Sequence, residues 1–347
     1  MIAAETIELP LQNYQTLKQS WYCHFPDQQV AVRLKKIKNS SFFRIQDNHQ
    51  DNHAVGKEND MKIPKYWARA RYEGKDRIGK EHKFVASGWS FTSIQEAQSQ
   101  ASARAKRMFE LITTGRKPER YEYHDRPIRE ERLREIHDRD THIAVITRNR
   151  YGALVLNCTN VLFADVDFPH PAPLGFLDRL LLKVSRRRRK AAWTALVGAK
   201  IKEVEGWAAR NPDHSFRLYR TREGLRLLFT DRLYNPTGDE TARILSELNA
   251  DPMYVTLTRK QECFRARLTS KPWRCGISNP PNSFPWDGPE AEAKYRKWED
   301  AYSQHDAGFK VCELIREFGF PADMGSIKTI VDIHDQETKI HATAELA

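Results

Sequence analysis

Val161-Leu162-Phe163-Ala164-Asp165-Val166-Asp167-Phe168 decides how this chain is read. As a strand it alternates between faces, so Leu162, Ala164, Val166 and Phe168 point one way while Asp165 and Asp167 point the other. Two carboxylates then share the open face of a buried strand at its C-terminal end, just before Pro169, where ligands of open sheets tend to bind. Like charges that close are costly unless a cation or several donors compensate them. The pattern suggests a divalent-metal site acting on nucleotide phosphates.

Outward from this strand, the order of elements supplies the fold. Residues around Trp193, Leu196, Val197, Ile201, Val204 and Trp207 form a helical stripe. Ser215 to Arg220 reads as a strand, Thr221-Arg222-Glu223-Gly224 as a turn, and Leu225 to Thr230 as a third strand. Asp239 to Asn249 reads as a helix, and Glu262 to Thr269 as the last strand. The sequence of elements is β-α-β-β-α-β, so the expected class is α+β with a ferredoxin-like, RRM- or palm-like core. Both helices of such a core lie on one face of the sheet. The free face should gather Asp165, Asp167, Arg226, Arg265 and Arg267, with Arg217 and Tyr219 beside them.

The flanks divide the chain into four parts. Residues 1–60 are a polar, partly flexible extension, with a short strand near Phe42 to Ile45 and a solvated tract around His49 and His53. Residues 61–140 are a small αβ module. It comprises a hairpin from Lys65 to Arg71 and Lys83 to Ser87 with a long loop through Gly74 and Gly79, then a helix opened by Ser93-Ile94-Gln95-Glu96 in capping-box form. A further helix is expected from Pro127 to Ile136, after Tyr121, Tyr123 and Arg126. Residues 141–279 form the core, in which Ile143 to Thr147 and Ala153 to Asn157 pair as a hairpin before the Asp165 strand. Residues 280–347 are a proline-rich linker and a helical tail, whose His334-Asp335 dipeptide is more simply a surface helix than a metal pair.

Composition narrows the partners. Fifty-seven basic against 46 acidic residues give a formal charge of +11, which favours an anionic partner, nucleic acid foremost. The five scattered cysteines lack a CxxC pair and argue against a zinc ribbon or a disulfide framework. The first residues carry Glu5 and Glu8 without the apolar core of a signal peptide, and no apolar run reaches membrane-spanning length, so a cytoplasmic location without a membrane partner is expected.

Ala164-Asp165-Val166-Asp167 after an apolar strand, followed by Tyr219-Arg220-Thr221-Arg222-Glu223-Gly224-Leu225-Arg226-Leu227, resembles the archaeo-eukaryotic primase and primase-polymerase superfamily over about Val161 to Thr269. The resemblance implies metal-dependent nucleotidyl transfer, with Asp165 and Asp167 holding Mg2+ or Mn2+. It also implies nucleoside triphosphates, DNA or RNA as partners. Arg226 stands where that superfamily has a nucleotide-contacting histidine, and Asp251 is the nearest candidate for its third acid. Arg217, Tyr219, Arg220, Arg265, Arg267, Lys271 and Trp273 would support phosphate or template. Asp165-Val166-Asp167-Phe168 is similar, less closely, to the metal-binding strand of nucleotidyl cyclase domains, with Glu223 at the hairpin. A non-catalytic nucleic-acid-binding module, or a regulatory protein with a decayed palm, is the alternative from another class.

Overall fold

The computed structural model describes residues 61–116, 127–169 and 186–347, with side chains along the second helix from residue 190. The tract around His49 and His53, the strand near Phe42, and Tyr121, Tyr123 and Arg126 lie outside the described residues. The described residues belong to one unit.

Strands β1 (Tyr66–Lys75) and β2 (Glu81–Ser90) pair antiparallel over their full length. The ladder continues through Gly74, so the connection is shorter than the sequence suggests. It is a tight turn in which Asp76 accepts from the Ile78 and Lys80 amides. Helix α1 (Ile94–Thr113) follows, N-capped by the Ser93 hydroxyl, which accepts from the Glu96 amide. The reciprocal half of the capping box is rewired, because the Glu96 carboxylate accepts from Ser90 and Thr92 hydroxyls. Ala97, Ala101 and Ala105 are fully buried against the hairpin. Only small residues fit there: a Cβ on Gly88 would lie 2.1 Å from the Ala97 carbonyl oxygen.

Residues 131–136, within the helix expected from Pro127 to Ile136, belong instead to strand β3 (Glu131–Asp138), which pairs with β4 (Thr141–Arg148). Local spacing after Pro127 suits a helix, but the ladder with the apolar β4 overrides it. Strand β5 (Leu154–Cys158) pairs with β4 as the hairpin reading requires. Strand β6 (Phe163–Asp167) opens a second sheet. It is followed by α2 (Arg186–Arg210), β7 (Phe216–Arg220), β8 (Gly224–Phe229) and α3 (Asp239–Glu247). A helix that the sequence pattern did not disclose, α4 (Pro252–Gln261), then intervenes before β9 (Phe264–Arg267). Asp251 starts it, accepting from the Met253 and Tyr254 amides with Pro252 in the first turn.

The chain is therefore α+β, built on antiparallel sheets and six described helices, but its pairing departs from the expected single sheet. One sheet has the order β3-β4-β5-β9, the other β11-β7-β8-β6. The last core strand hydrogen-bonds to β5, with Val155 opposite Arg267 and Cys158 opposite Phe264, and not to the edge of β6. The C-terminal part is likewise more than a helical tail. After α5 (Pro289–Asp306) it supplies β10 (Phe309–Lys310), β11 (Glu313–Phe318), α6 (Gly325–Glu337) and β12 (Glu345–Leu346). Strand β11 completes the β6 sheet on the far side of β7.

Both faces of that sheet are covered. On one, Trp207 of α2 lies against Phe216 and Phe229, and Ile244 and Leu245 of α3 join the same core. On the other, His334 of α6 packs 5.5 Å from the Phe163 ring and 4.7 Å from the Tyr219 ring. The face expected to be free of helices thus carries α6. No helix among the described residues is long and apolar enough to cross a membrane.

Candidate functional site

In register across β6, β8 and β7 stand Asp165, Arg226 and Tyr219. Alternation puts all three on the α6 side, as the sequence pattern requires. Arg226 is 2% exposed; its Nε donates to Asp165 Oδ1 at 2.7 Å and its Nη2 to Asp165 Oδ2 at 3.1 Å. Nη1 donates to the Arg267 carbonyl at 2.9 Å. Burial alone would push the guanidinium towards its neutral form, but Asp165 outweighs it and holds the charge more firmly than in water. The tail adds a second layer. Tyr219 donates to Asp335 Oδ1 at 2.7 Å, Arg217 Nη1 contacts Asp335 Oδ2 at 2.7 Å, and His334 Nδ1 lies 2.9 Å from the same carboxylate. His334, read from sequence as part of a surface helix, is fully buried, and burial drives its pKa down to about 4.

Two positions further along β6 the chemistry changes. The carboxylate of Asp167 forms no hydrogen bond or ion pair with the described residues. Its carboxyl is held above the usual range by partial burial, then by Asp251 and Asp165 nearby. Asp251 is brought there by its own amide, which donates to the Asp165 carbonyl at 3.0 Å. The turn after β9 supplies the opposite charge. Lys271 is half-buried, its ammonium also without hydrogen bond or ion pair among the described residues, and burial, Arg274 and Arg267 lower its pKa to about 8. Arg274 pairs with Glu223, from the β7–β8 turn, and Arg267 donates to the Thr269 carbonyl. Burial, with Arg274 and Arg226 nearby, lowers Arg267 to about 10. Trp273 is 45% exposed, with Lys271 Nζ 5.7 Å from its ring centroid and Tyr151 edge-on at 5.2 Å. Gly224 permits the close packing of this corner, because a Cβ there would sit 2.4 Å from the Val166 carbonyl oxygen.

Of the residues singled out from sequence, Asp165, Asp167, Tyr219, Arg226, Arg267, Lys271 and Trp273 gather around the end of β6, and Arg217 joins through Asp335. Arg220 alternates to the opposite face of β7 from Tyr219. Arg265 belongs to the other sheet, where it donates to Glu130 Oε1 at 2.6 Å and Gln261 Oε1 at 2.8 Å. The capping role of Asp251 and the covering role of His334 and Asp335 were not readable from spacing, since each depends on a helix placed by tertiary packing.

A divalent ion shared by Asp165 and Asp167 does not fit this arrangement. Both Asp165 oxygens already accept from Arg226, and the Asp251 carboxylate caps α4, which leaves Asp167 as the one unengaged acid of the three. Among the described residues no three histidine, cysteine, aspartate or glutamate side chains converge as a metal-holding group. Compared with models of known protein families, with curated proteins and with solved structures, the chain matches none.

Proposed function

We propose that this protein binds nucleotide phosphates at the end of β6, on a core related to the palm of primase-polymerases. The observation that carries the proposal is the pairing that Lys271 and Asp167 do not make. A half-buried ammonium and a carboxylate share one corner without bonding to each other. A depressed lysine pKa means that the ammonium is short of compensating negative charge, which a phosphate supplies. Arg267 and Arg274 flank the same position, and Trp273 offers a ring face for a base. The strand order β6-β8-β7, with an acid pair on the first strand, supports the ferredoxin-like ancestry; the placement of β9 beside β5 sets it apart from that arrangement.

A second reading, nucleotidyl transfer with Mg2+ or Mn2+, would rest on Asp167, the one acid of this corner whose carboxylate is unengaged among the described residues, and not on Asp165, whose oxygens Arg226 occupies. Calorimetric titration with ATP and GTP, with and without Mg2+, tests both. Lys271→Gln should weaken binding roughly tenfold, the scale of one charge-assisted hydrogen bond. Unchanged affinity would overturn the site. Incorporation of labelled nucleotide on a single-stranded template, lost in Asp167→Asn while Asp165 and its arginine stay in place, would support the second reading.

A further inference from the structure

At the opposite edge of the sheet from β6, the loop between β11 and α6 holds an aromatic ring out in water. Phe320 is 91% exposed, more than any other large apolar side chain among the described residues. The loop around it is tied down. Gly319 takes φ +66°, and it packs so closely that a Cβ there would collide with Ser215. Pro321 has a fixed φ and confines Phe320 to extended backbone. The Ala322 amide then donates to the Thr230 carbonyl at 2.7 Å. A ring presented in this way gains almost nothing from its own chain, and burying it against another surface is favourable at little further cost in order.

Beside the ring lies a cavity of about 360 Å³, with apolar walls from Phe216, Phe318, Ile327 and Val331. Gly319 and Pro321, on either side of Phe320, line it too, yet the Phe320 ring stays outside in water. Knob and hole therefore adjoin on one surface. A twofold axis passing beside the loop would carry each ring into the cavity of the other copy. The charges agree. Asp323 and Lys328 are exposed and line the same cavity, and neither side chain has a hydrogen bond or ion pair among the described residues. One unengaged charge of each sign suits a second copy turned through half a turn, whereas a partner of a single sign would be repelled by one of them. Strand β11 is the sheet edge, but its bulge between Leu314 and Arg316 and its exposed Glu313, Arg316 and Glu317 discourage pairing strand to strand. The contact runs through side chains.

We propose that this face is a self-association surface, on which two copies of the chain exchange Phe320 between their cavities about a twofold axis. Two rings of about 150–250 Å² each, with the walls they cover, bury roughly 600–1,000 Å² in all. That is the small end of specific interfaces, so the dimer is a transient one with a Kd on the order of ten micromolar. Strands β11 and β6 are opposite edges of one sheet, and the surface takes no residue from the nucleotide corner.

Sedimentation velocity of the full chain, from about 2 to about 200 µM, spans the expected Kd. The parent should pass from monomer to dimer and stop there. Phe320→Ser changes only an exposed position and should weaken association by at least about tenfold, as the loss of a central aromatic anchor does. Ile78→Ser removes a side chain that is 87% exposed in the β1–β2 turn and should leave association as in the parent. With p-benzoylphenylalanine in place of Phe320, irradiation of a mixture of isotopically light and heavy protein should link one copy to cavity residues of the other. A parent that stays monomeric at the highest concentration, equal weakening in the two serine variants, growth beyond the dimer, or a crosslink within one chain would each overturn the proposal.

Discussion

Arg226 holds Asp165 by two parallel hydrogen bonds, at 2.7 and 3.1 Å, from the strand next to it, with the guanidinium buried beneath α6 and the Asp165 side chain 31% exposed. A buried pair of this kind does not add much against a well-packed apolar replacement, but removing one member strands the other. Arg226→Ala should therefore destabilise the protein by about 3–5 kcal/mol, whereas Arg226→Met with Asp165→Leu should recover most of the loss. Urea denaturation followed by circular dichroism measures both. A single substitution costing less than about 1 kcal/mol would show that the pair is solvated and α6 loosely held.

Lys271 gives the nucleotide corner a pH signature. Its folded pKa of about 8 lies below the ordinary lysine value, so binding that needs the ammonium should weaken as pH rises through 8. The effect on stability has the opposite sense. Between about 8 and the unfolded value near 10.4, the unfolded chain holds more protons, and stability rises with pH. Lys271→Met should thus be more stable than the parent below pH 8, with the gap closing above it. Paired thermal melts at pH 7 and pH 9.5 measure that closure, and a gap that widens with pH would contradict the assignment.

Much of this was legible in the strand alternation. Asp165 and Asp167 do share a face of β6, and Tyr219 and Arg226 do stand opposite them, because a period of two and a short hairpin fix the register. What covers that face was not legible. His334 looks like one polar residue of an amphipathic helix, and only the docking of α6, together with the entry of β11 into the sheet, turns it into core. The same holds for β9: its apolar residues suit either sheet edge, and α4 delivers it to β5.

The buried imidazole makes the tail acid-sensitive. His334 has a folded pKa of about 4, set first by burial, and it faces Asp335, Arg226, Cys312 and Asp165. The unfolded chain takes up its proton first, so stability should fall as pH drops from about 6.5 to 4. His334→Gln should flatten that part of the profile. Limited proteolysis between α5 and α6 at pH 5 gives a local readout, with the parent cut faster than at pH 7. Equal rates at the two pH values would argue that the tail is not held through this residue.

The β1–β2–α1 module depends on one close approach. Gly88→Ala would press a methyl group onto the backbone of α1, 2.1 Å from the Ala97 carbonyl oxygen and 2.5 Å from the Ala101 amide nitrogen. Backbone cannot yield as a flexible side chain does, so a loss of about 1–3 kcal/mol is expected. Urea denaturation of Gly88→Ala beside the parent measures the loss, and an unchanged midpoint would show that α1 can move away from the hairpin.

Asp167 separates the two accounts of the β6 corner. Its carboxyl is held above the usual range by partial burial, Asp251 and Asp165, so the folded protein binds its proton more tightly than the unfolded chain. The resulting penalty is present above the folded pKa and disappears as pH falls through it. Asp167→Asn should therefore raise the melting temperature at pH 7 in EDTA, with the difference vanishing in acid. If the corner binds phosphate without a metal, millimolar Mn2+ should leave the parent's melting temperature unchanged. A rise in the parent that Asp167→Asn abolishes would instead make this carboxylate a metal ligand, since a cation stabilises the ionised form that the neighbouring acids disfavour.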